Sequence, residues 1–370
     1  MTHLIFCSTS IDCGGAESLL LNLVKELDNK YKIIIIYIIG KGTYKSELKS
    51  TGAEVFKLNP ISLFRTIKLL YKNPDTILQG WMYHGNLLAT FLYLLTLGRG
   101  KLLWTVHHSA ENYVHESLKH FLILKFTALL SRLPKAIVFV SEFIKKEHIS
   151  YGYKNNHMQV IYNGIDTSLF KRNEEAAKKL IYSLNIPSEA VIMGTVGRNH
   201  PVKDYRTFFR SSSLLIKKHP NLHIIVAGRD VNLSQFSNEL RDLTSEQLNR
   251  IHLLGERKDI PEILSLIDIF VLTSISESFS ISLIEALAAG CCCVSTNIIF
   301  YTHLFPEALT VFPPYDYQSL VKCVEKYIYM SKEQRNKIGK EASLLVEQYF
   351  PLSKTINNYR ELWDSVQLSN

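Results

Sequence analysis

A chain of 370 residues exceeds what one hydrophobic core usually organises, so two packed domains are expected. With 46% hydrophobic and 21% charged residues, 17 Gly and 11 Pro, the composition excludes a disordered, collagenous or low-complexity protein. The formal charge of +8 is uneven: residues 1–186 hold 23 Lys and Arg against 14 Asp and Glu, and the rest hold 19 against 20, so the first half suits an acidic partner such as a phosphate-bearing substrate, anionic lipid or nucleic acid.

Short apolar runs alternate with helical patterns along the chain. Strands are predicted from Met1 to Thr9, with its apolar centre at residues 4–8, and over residues 32–39, 76–79, 102–106, 136–140 and 159–162. A second series is predicted at 192–196, 223–227, 251–253, 269–273 and 292–295. Near-continuous apolar strands separated by helices describe parallel sheets covered on both faces, which makes the fold class α/β with two doubly wound domains. The joint is expected between Asn163 and Pro187, where a turn-like Asn-Gly-Ile-Asp is followed by a polar, Lys- and Glu-rich stretch. This sets a first domain at 1–186 and a second at 187–345.

Three of the six cysteines, Cys7, Cys13, Cys291, Cys292, Cys293 and Cys323, are consecutive, which disfavours a disulfide framework. Reduced thiols and the lack of a secretory leader pattern lead to a cytoplasmic expectation. Residues 61–72 place Leu63, Phe64, Ile67, Leu70 and Tyr71 on one helical face and Arg65, Lys68 and Lys72 on the other. That pattern reads either as a basic amphipathic helix in peripheral contact with the inner face of an anionic membrane or, equally, as an ordinary helix packing on a sheet. Residues 87–97 and 119–133 are apolar but too short or too charged to span a bilayer.

The chemistry concentrates after the predicted strand at 269–273. Glu277-Ser278-Phe279-Ser280-Ile281 leads to Glu285 with seven residues between the two glutamates. Ligands of open α/β sheets bind beyond the carboxyl ends of strands, where helix N-terminal amides favour phosphates and carboxylates accept hydrogen bonds from sugar hydroxyls. Upstream, Gly14-Gly15-Ala16-Glu17 follows the first strand, and Arg198 and Lys203 follow the strand at 192–196.

The Glu277 to Gly290 segment resembles the paired-glutamate signature of glycosyltransferase family 4, the large family of retaining enzymes with the GT-B fold: two Rossmann-like domains with an interdomain cleft. The resemblance implies that Glu277 contacts the donor sugar and Glu285 the ribose, with Ser278 standing where the family usually has Gly. It implies that Gly14 and Gly15 approach the donor phosphate and that Arg198 and Lys203 hold the diphosphate, where fixed cations stabilise the charge growing on the leaving group. Tyr162 to Asp166 resembles the interdomain turn. Gly255-Glu256-Arg257 resembles the loop contacting the base, and Ser278, Phe279, Ser280 and Ile281 complete the donor segment. Trp104 to Ser109 resembles the acceptor-side motif, giving His107 the place near the sugar, with His108 less favoured. Gln79 to Asn86 resembles a motif of the members that build surface polysaccharides, with His84 and Asn86 toward the acceptor. Residues 346–370 resemble the C-terminal return to the first domain.

The expected activity is hexosyl transfer, with retention, from a UDP- or GDP-sugar to a lipid-linked or soluble saccharide in surface polysaccharide or lipopolysaccharide synthesis. No Asp-x-Asp or Cys-x-x-Cys pair occurs, so neither a metal nor another cofactor is expected. The alternatives are an epimerase or phosphorylase on the same scaffold, or a noncatalytic basic binding protein. The aromatic residues form no recognisable nucleic-acid platform, so no nucleic-acid partner is expected.

Overall fold

The computed structural model describes residues 2–12, 14–27 and 30–368; Met1, Cys13 and residues 369 and 370, named in the expectations above, lie outside them. The chain divides into two compact units. One holds the chain up to Gly164 together with the chain from Leu352, and the other is Ile165–Pro351.

In the first unit seven parallel strands, β1 (Thr2–Ser8), β2 (Tyr31–Tyr37), β3 (Glu54–Lys57), β4 (Ile77–Trp81), β5 (Lys101–Val106), β6 (Ala136–Phe139) and β7 (Met158–Val160), lie in the order β3-β2-β1-β4-β5-β6-β7. The isoleucine run of β2 shows why: β-branched side chains pack well on both faces of a buried pleat. Leu4, Phe6, Ile33 and Ile35 join a core with Leu20 and Leu23 of the helix Gly15–Glu26 and with Tyr359 and Trp363 of the C-terminal helix Leu352–Leu368. Trp363 Nε1 donates to Gln79 Oε1 at 3.0 Å and Gln79 Nε2 to Thr105 Oγ1 at 2.9 Å, which ties that helix to β4 and β5. On the opposite face the helix Met82–Leu95 lies so close to β1 that a Cβ on Gly85 would fall 2.1 Å from the Cys7 carbonyl oxygen.

The second unit has six parallel strands, β8 (Val191–Val196), β9 (Leu222–Ala227), β10 (Ile251–Gly255), β11 (Ile269–Leu272), β12 (Cys292–Thr296) and β13 (Leu309–Phe312), in the order β10-β9-β8-β11-β12-β13. Phe208 and Phe209 of the helix Tyr205–Lys218 centre its core. Cys292 and Cys293 are buried residues of β12, and burial pushes the Cys291 and Cys292 thiols up to about 12, so they are inert core groups.

Two expectations need correction, and a third is narrowed. The boundary falls at Gly164, not at 186, because Arg172 reaches buried Asp268 at 3.7 Å, Ser265 Oγ accepts from Asn173 N–H at 3.0 Å, and the helix Glu174–Ser183 packs on the helix Ile260–Leu266. The return begins at Leu352 rather than 346, since Phe350 packs on Phe279 and Tyr301 of the second unit. The helix Pro60–Lys72 buries Ser62, Thr66 and Leu70, while Arg65 is paired to Glu54 at 2.7 Å and stacked on Phe56. Part of its expected membrane face is therefore packed and one expected cation is engaged. Among the described residues no helix is long and apolar enough to cross a membrane.

Gly85→Ala is expected to destabilise the first unit by about 1–3 kcal/mol, because the added methyl meets backbone that cannot rotate away. Denaturant unfolding measures this, and unchanged stability would mean that the helix shifts freely on β1.

Candidate active site

Winding reverses between β1 and β4 in one sheet and between β8 and β11 in the other. Loops at such a reversal diverge and leave room beyond the strand ends. Nearly all of the expected site residues lie in the segments that leave the carboxyl ends of these strands and their neighbours.

In the second unit Arg198 follows β8. It is exposed and, among the described residues, held by no ion pair or hydrogen bond, so its guanidinium is available to an anion. Lys203 ends the short 3-10 turn Pro201–Lys203, which His200 caps. Its ammonium lies 2.6 Å from Glu277 Oε1, with both side chains largely shielded from solvent. Two backbone ties hold this pair: Ile275 N–H donates to Val202 O at 2.8 Å, and Thr273 Oγ1 donates to Lys203 O at 2.7 Å.

Beyond Glu277 the chain tightens. Phe279 is buried against Tyr301 and Phe350, and Ser280 adopts a left-handed φ of 40° as it enters the helix Ile281–Ala288. Ser280 Oγ is buried without a hydrogen-bond partner. A non-glycine residue held in this region stores strain, as does Asp204 at φ 43°, which caps the helix after Lys203. Ser278 and Ile281 flank the bend and remain partly exposed. Glu285 keeps some accessible surface, yet desolvation of its carboxyl pushes its pKa up to about 8. Gly255, Glu256 and Arg257 are exposed at the end of β10, where Arg257 is paired with Asp259 and Glu256 lies 3.8 Å from Arg229.

In the first unit Gly14 caps the helix that begins at Gly15, and any side chain on Gly14 would collide with the Glu17 carboxylate. His107 follows β5, is 6% exposed, and leaves both ring nitrogens buried without partners. Its ring lies 4.5 Å from that of Trp81, whose Nε1 donates to Ala16 O. Burial, with a contribution from His108, pushes the His107 pKa down to about 3, so it is neutral at physiological pH. His108 is exposed and stacks with Tyr83 and Tyr113. His84 is half-buried. Asn86, expected toward the acceptor, is instead fully buried, with its amide bonded to the Thr105 backbone at 3.1 and 3.4 Å, and acts as a brace between the helix Met82–Leu95 and β5.

Three features were not legible. Met82, at φ 66°, turns the chain sharply from β4 into its helix; Trp81 forms one wall of His107; and Glu147 fixes the loop after His108, accepting from Ser109 Oγ at 2.9 Å and Ala110 N–H at 3.0 Å. Glu147 is 38 residues from Ser109, and no local pattern marks such a partner. Among the described residues no group of three or more His, Cys, Asp or Glu could hold a metal ion.

Two parallel, doubly wound units, the second with free and paired cations beside a strained helix entry, define a two-domain enzyme of the GT-B class. The family described as Glycosyltransferase Family 4 matches residues 13–169, and that described as Glycosyl transferases group 1 matches residues 176–344. The chain belongs to the family 4 glycosyltransferases and is a glycosyltransferase. The O-antigen biosynthesis glycosyltransferase WclY of Escherichia coli is 20% identical over 362 residues, 95% of each chain. The N,N'-diacetylbacillosaminyl-diphospho-undecaprenol alpha-1,3-N-acetylgalactosaminyltransferase of Campylobacter jejuni is 32% identical over 178 residues, 47% of this chain and 45% of that one. The crystal structure of Anabaena Alr3699/HepE in complex with UDP and glucose superposes with a TM-score of 0.81 at 20% identity, covering 99% of this chain and 100% of that one.

The raised pKa of Glu285 has a thermodynamic consequence. Between its ordinary value of 4.5 and about 8 the native state holds a proton that the unfolded chain has released, so stability falls as pH rises through that window. Glu285→Gln is expected to raise the melting temperature by on the order of a few degrees at pH 8, with the gain vanishing toward pH 4.5. A pH-independent difference would show that the carboxyl is not desolvated.

Proposed function

We propose that the chain transfers a sugar, with retention of anomeric configuration and without a metal ion, from a UDP- or GDP-sugar to a hydroxyl of a lipid-linked saccharide in surface polysaccharide assembly. The observation that carries this reading is the Lys203–Glu277 pair, with the exposed, unpaired Arg198 five residues before Lys203 in the segment that follows β8. One carboxylate and two cations within a single loop system match a ligand that is polyhydroxylated at one end and a diphosphate at the other. The names of the relatives support the acceptor class: one acts on a diphospho-undecaprenol-linked sugar and another in O-antigen biosynthesis. The related solved structure holds UDP and glucose.

In this reading Arg198 and Lys203 bind the diphosphate. Glu277 accepts hydrogen bonds from the sugar, Glu285 from the ribose, and the backbone around Gly255 meets the base. As the bond from the anomeric carbon to the diphosphate oxygen lengthens, negative charge grows on that oxygen and the two cations stabilise it. The acceptor hydroxyl attacks the anomeric carbon from the side of the departing diphosphate. Its proton passes to the leaving phosphate oxygen, giving a glycosylated acceptor and a nucleoside diphosphate. His107, being neutral, offers one ring N–H and one acceptor nitrogen to a hydroxyl group rather than acting as an acid, and its two unpartnered nitrogens fit that task. His84 and His108 lie on the acceptor side.

Lys203→Ala and Arg198→Ala are each expected to lower kcat by roughly 10²- to 10³-fold with the fold intact. Glu277→Ala has a similar effect, and Lys203→Ala/Glu277→Ala loses less than the product of the single effects, because each single change strands a half-buried charge. Steady-state kinetics with a panel of nucleotide sugars reads both, and wild-type-like turnover in either cation variant sinks the assignment. Activity is also expected to survive a strong chelator; loss restored by magnesium or manganese would contradict the metal-free reading.

A further inference from the structure

The first unit carries an apolar face that its own packing does not use. The helix Leu118–Leu130 presents Leu118, Leu122, Phe126 and Leu129, spaced four, four and three apart, as one stripe, and each is more than half exposed. The helix Met82–Leu95 packs against it and, with the turn that follows, adds Phe91, Leu94 and Leu97, also more than half exposed. Monomeric proteins rarely leave two adjacent apolar stripes in water unless something covers them.

Within the two segments the charge is of one sign, although the helix Ala110–Glu116 that packs on the helix Leu118–Leu130 carries an exposed Glu111. Residues 82–99 and 118–133 contain no Asp or Glu, whereas Arg99, Lys119, Lys125 and Arg132 lie among or beside the stripes, all exposed. Tyr113 of the helix Ala110–Glu116 bridges the first turns of the two helices, its ring tilted against Tyr83 at 4.2 Å and against His120 at 4.4 Å. Tyr83 also stacks with His108, so the apolar face runs into the His84 and His108 cluster.

We infer that the paired helices 82–95 and 118–130 form a docking face for an anionic lipid bilayer, their leucines and phenylalanines entering the acyl boundary and the flanking cations meeting phosphate headgroups. An apolar stripe flanked by exposed cations is complementary to an anionic lipid interface, and, on the proposed function, the face ends where a lipid-carried acceptor would be presented. The inference does not depend on the sugar chemistry. It places the membrane contact here rather than on the helix Pro60–Lys72, which exposes Ile61 and Phe64 but buries Leu70 and pairs Arg65 with Glu54.

The test is sedimentation with phosphatidylcholine vesicles, with and without phosphatidylglycerol, alongside UDP affinity and circular dichroism on the same samples. Wild type is expected to sediment with the anionic vesicles. Leu122→Ser/Phe126→Ser/Leu129→Ser is expected to lose at least about tenfold in vesicle affinity with UDP affinity and fold unchanged. Lys119→Gln/Lys125→Gln/Arg132→Gln should remove most of the preference for anionic over neutral vesicles. Ile61→Ser/Phe64→Ser on the helix Pro60–Lys72 should change binding less than about twofold. The inference is overturned if wild type does not sediment, if the triple serine variant binds like wild type, if loss is confined to the Ile61/Phe64 variant, or if the triple serine variant instead splits a wild-type dimer in size-exclusion chromatography. Failure of UDP binding alone would count against the proposed function and not against this face.

Discussion

A parallel sheet covered by helices on both faces must reverse its winding direction once, because crossovers of a single hand otherwise accumulate on one side. Here the reversal falls between β1 and β4 in one unit and between β8 and β11 in the other. Loops leaving the two central strands then diverge rather than cover each other. The glycine pair and Met82 follow from that constraint in the first unit, with His107 at the end of the neighbouring β5; Arg198, Lys203 and Glu277 follow from it in the second. Both sites sit where backbone polar groups are left over by the sheet and are free to meet a ligand.

Within the second unit, electrostatics shapes the chemistry. Lys203 and Glu277 satisfy each other while Arg198 stays open, so the segments after β8 and β11 hold charge without an isolated buried ion. Glu285 is the opposite case: desolvation raises its pKa, and the fold gives up stability at neutral pH to keep a carboxyl there. The left-handed residues Asp204 and Ser280 stand beside Lys203 and Glu277, so strain and charge are concentrated in the same two loops.

The α/β alternation and the positions of most strands were legible because fully buried parallel strands read as continuous apolar runs. Strand β3, with Glu54 and Lys57 at its ends, and the four-residue β13 were not, since short sheet-edge strands carry little pattern. The paired glutamates and the Arg198–Lys203 segment were legible through spacing and family resemblance. The role of Asn86 was not, because a buried amide bracing a strand has the same letter as one facing a ligand. The domain boundary was misplaced for a related reason: the polar, Lys- and Glu-rich segment after Gly164 looks like a linker, but Arg172 and Asn173 anchor it to Asp268 and Ser265.

The central claim is that the Lys203–Glu277 pair is the donor site, its cation for the diphosphate and its carboxylate for the sugar. The most direct measurement is a crystal structure of the chain with an unreactive nucleoside diphosphate sugar analogue. The account predicts that Lys203 Nζ, 2.6 Å from Glu277 Oε1, turns to share a terminal phosphate oxygen with Arg198 while Glu277 accepts from the sugar hydroxyls. A diphosphate bound away from both cations, with the Lys203–Glu277 pair unchanged, would contradict it.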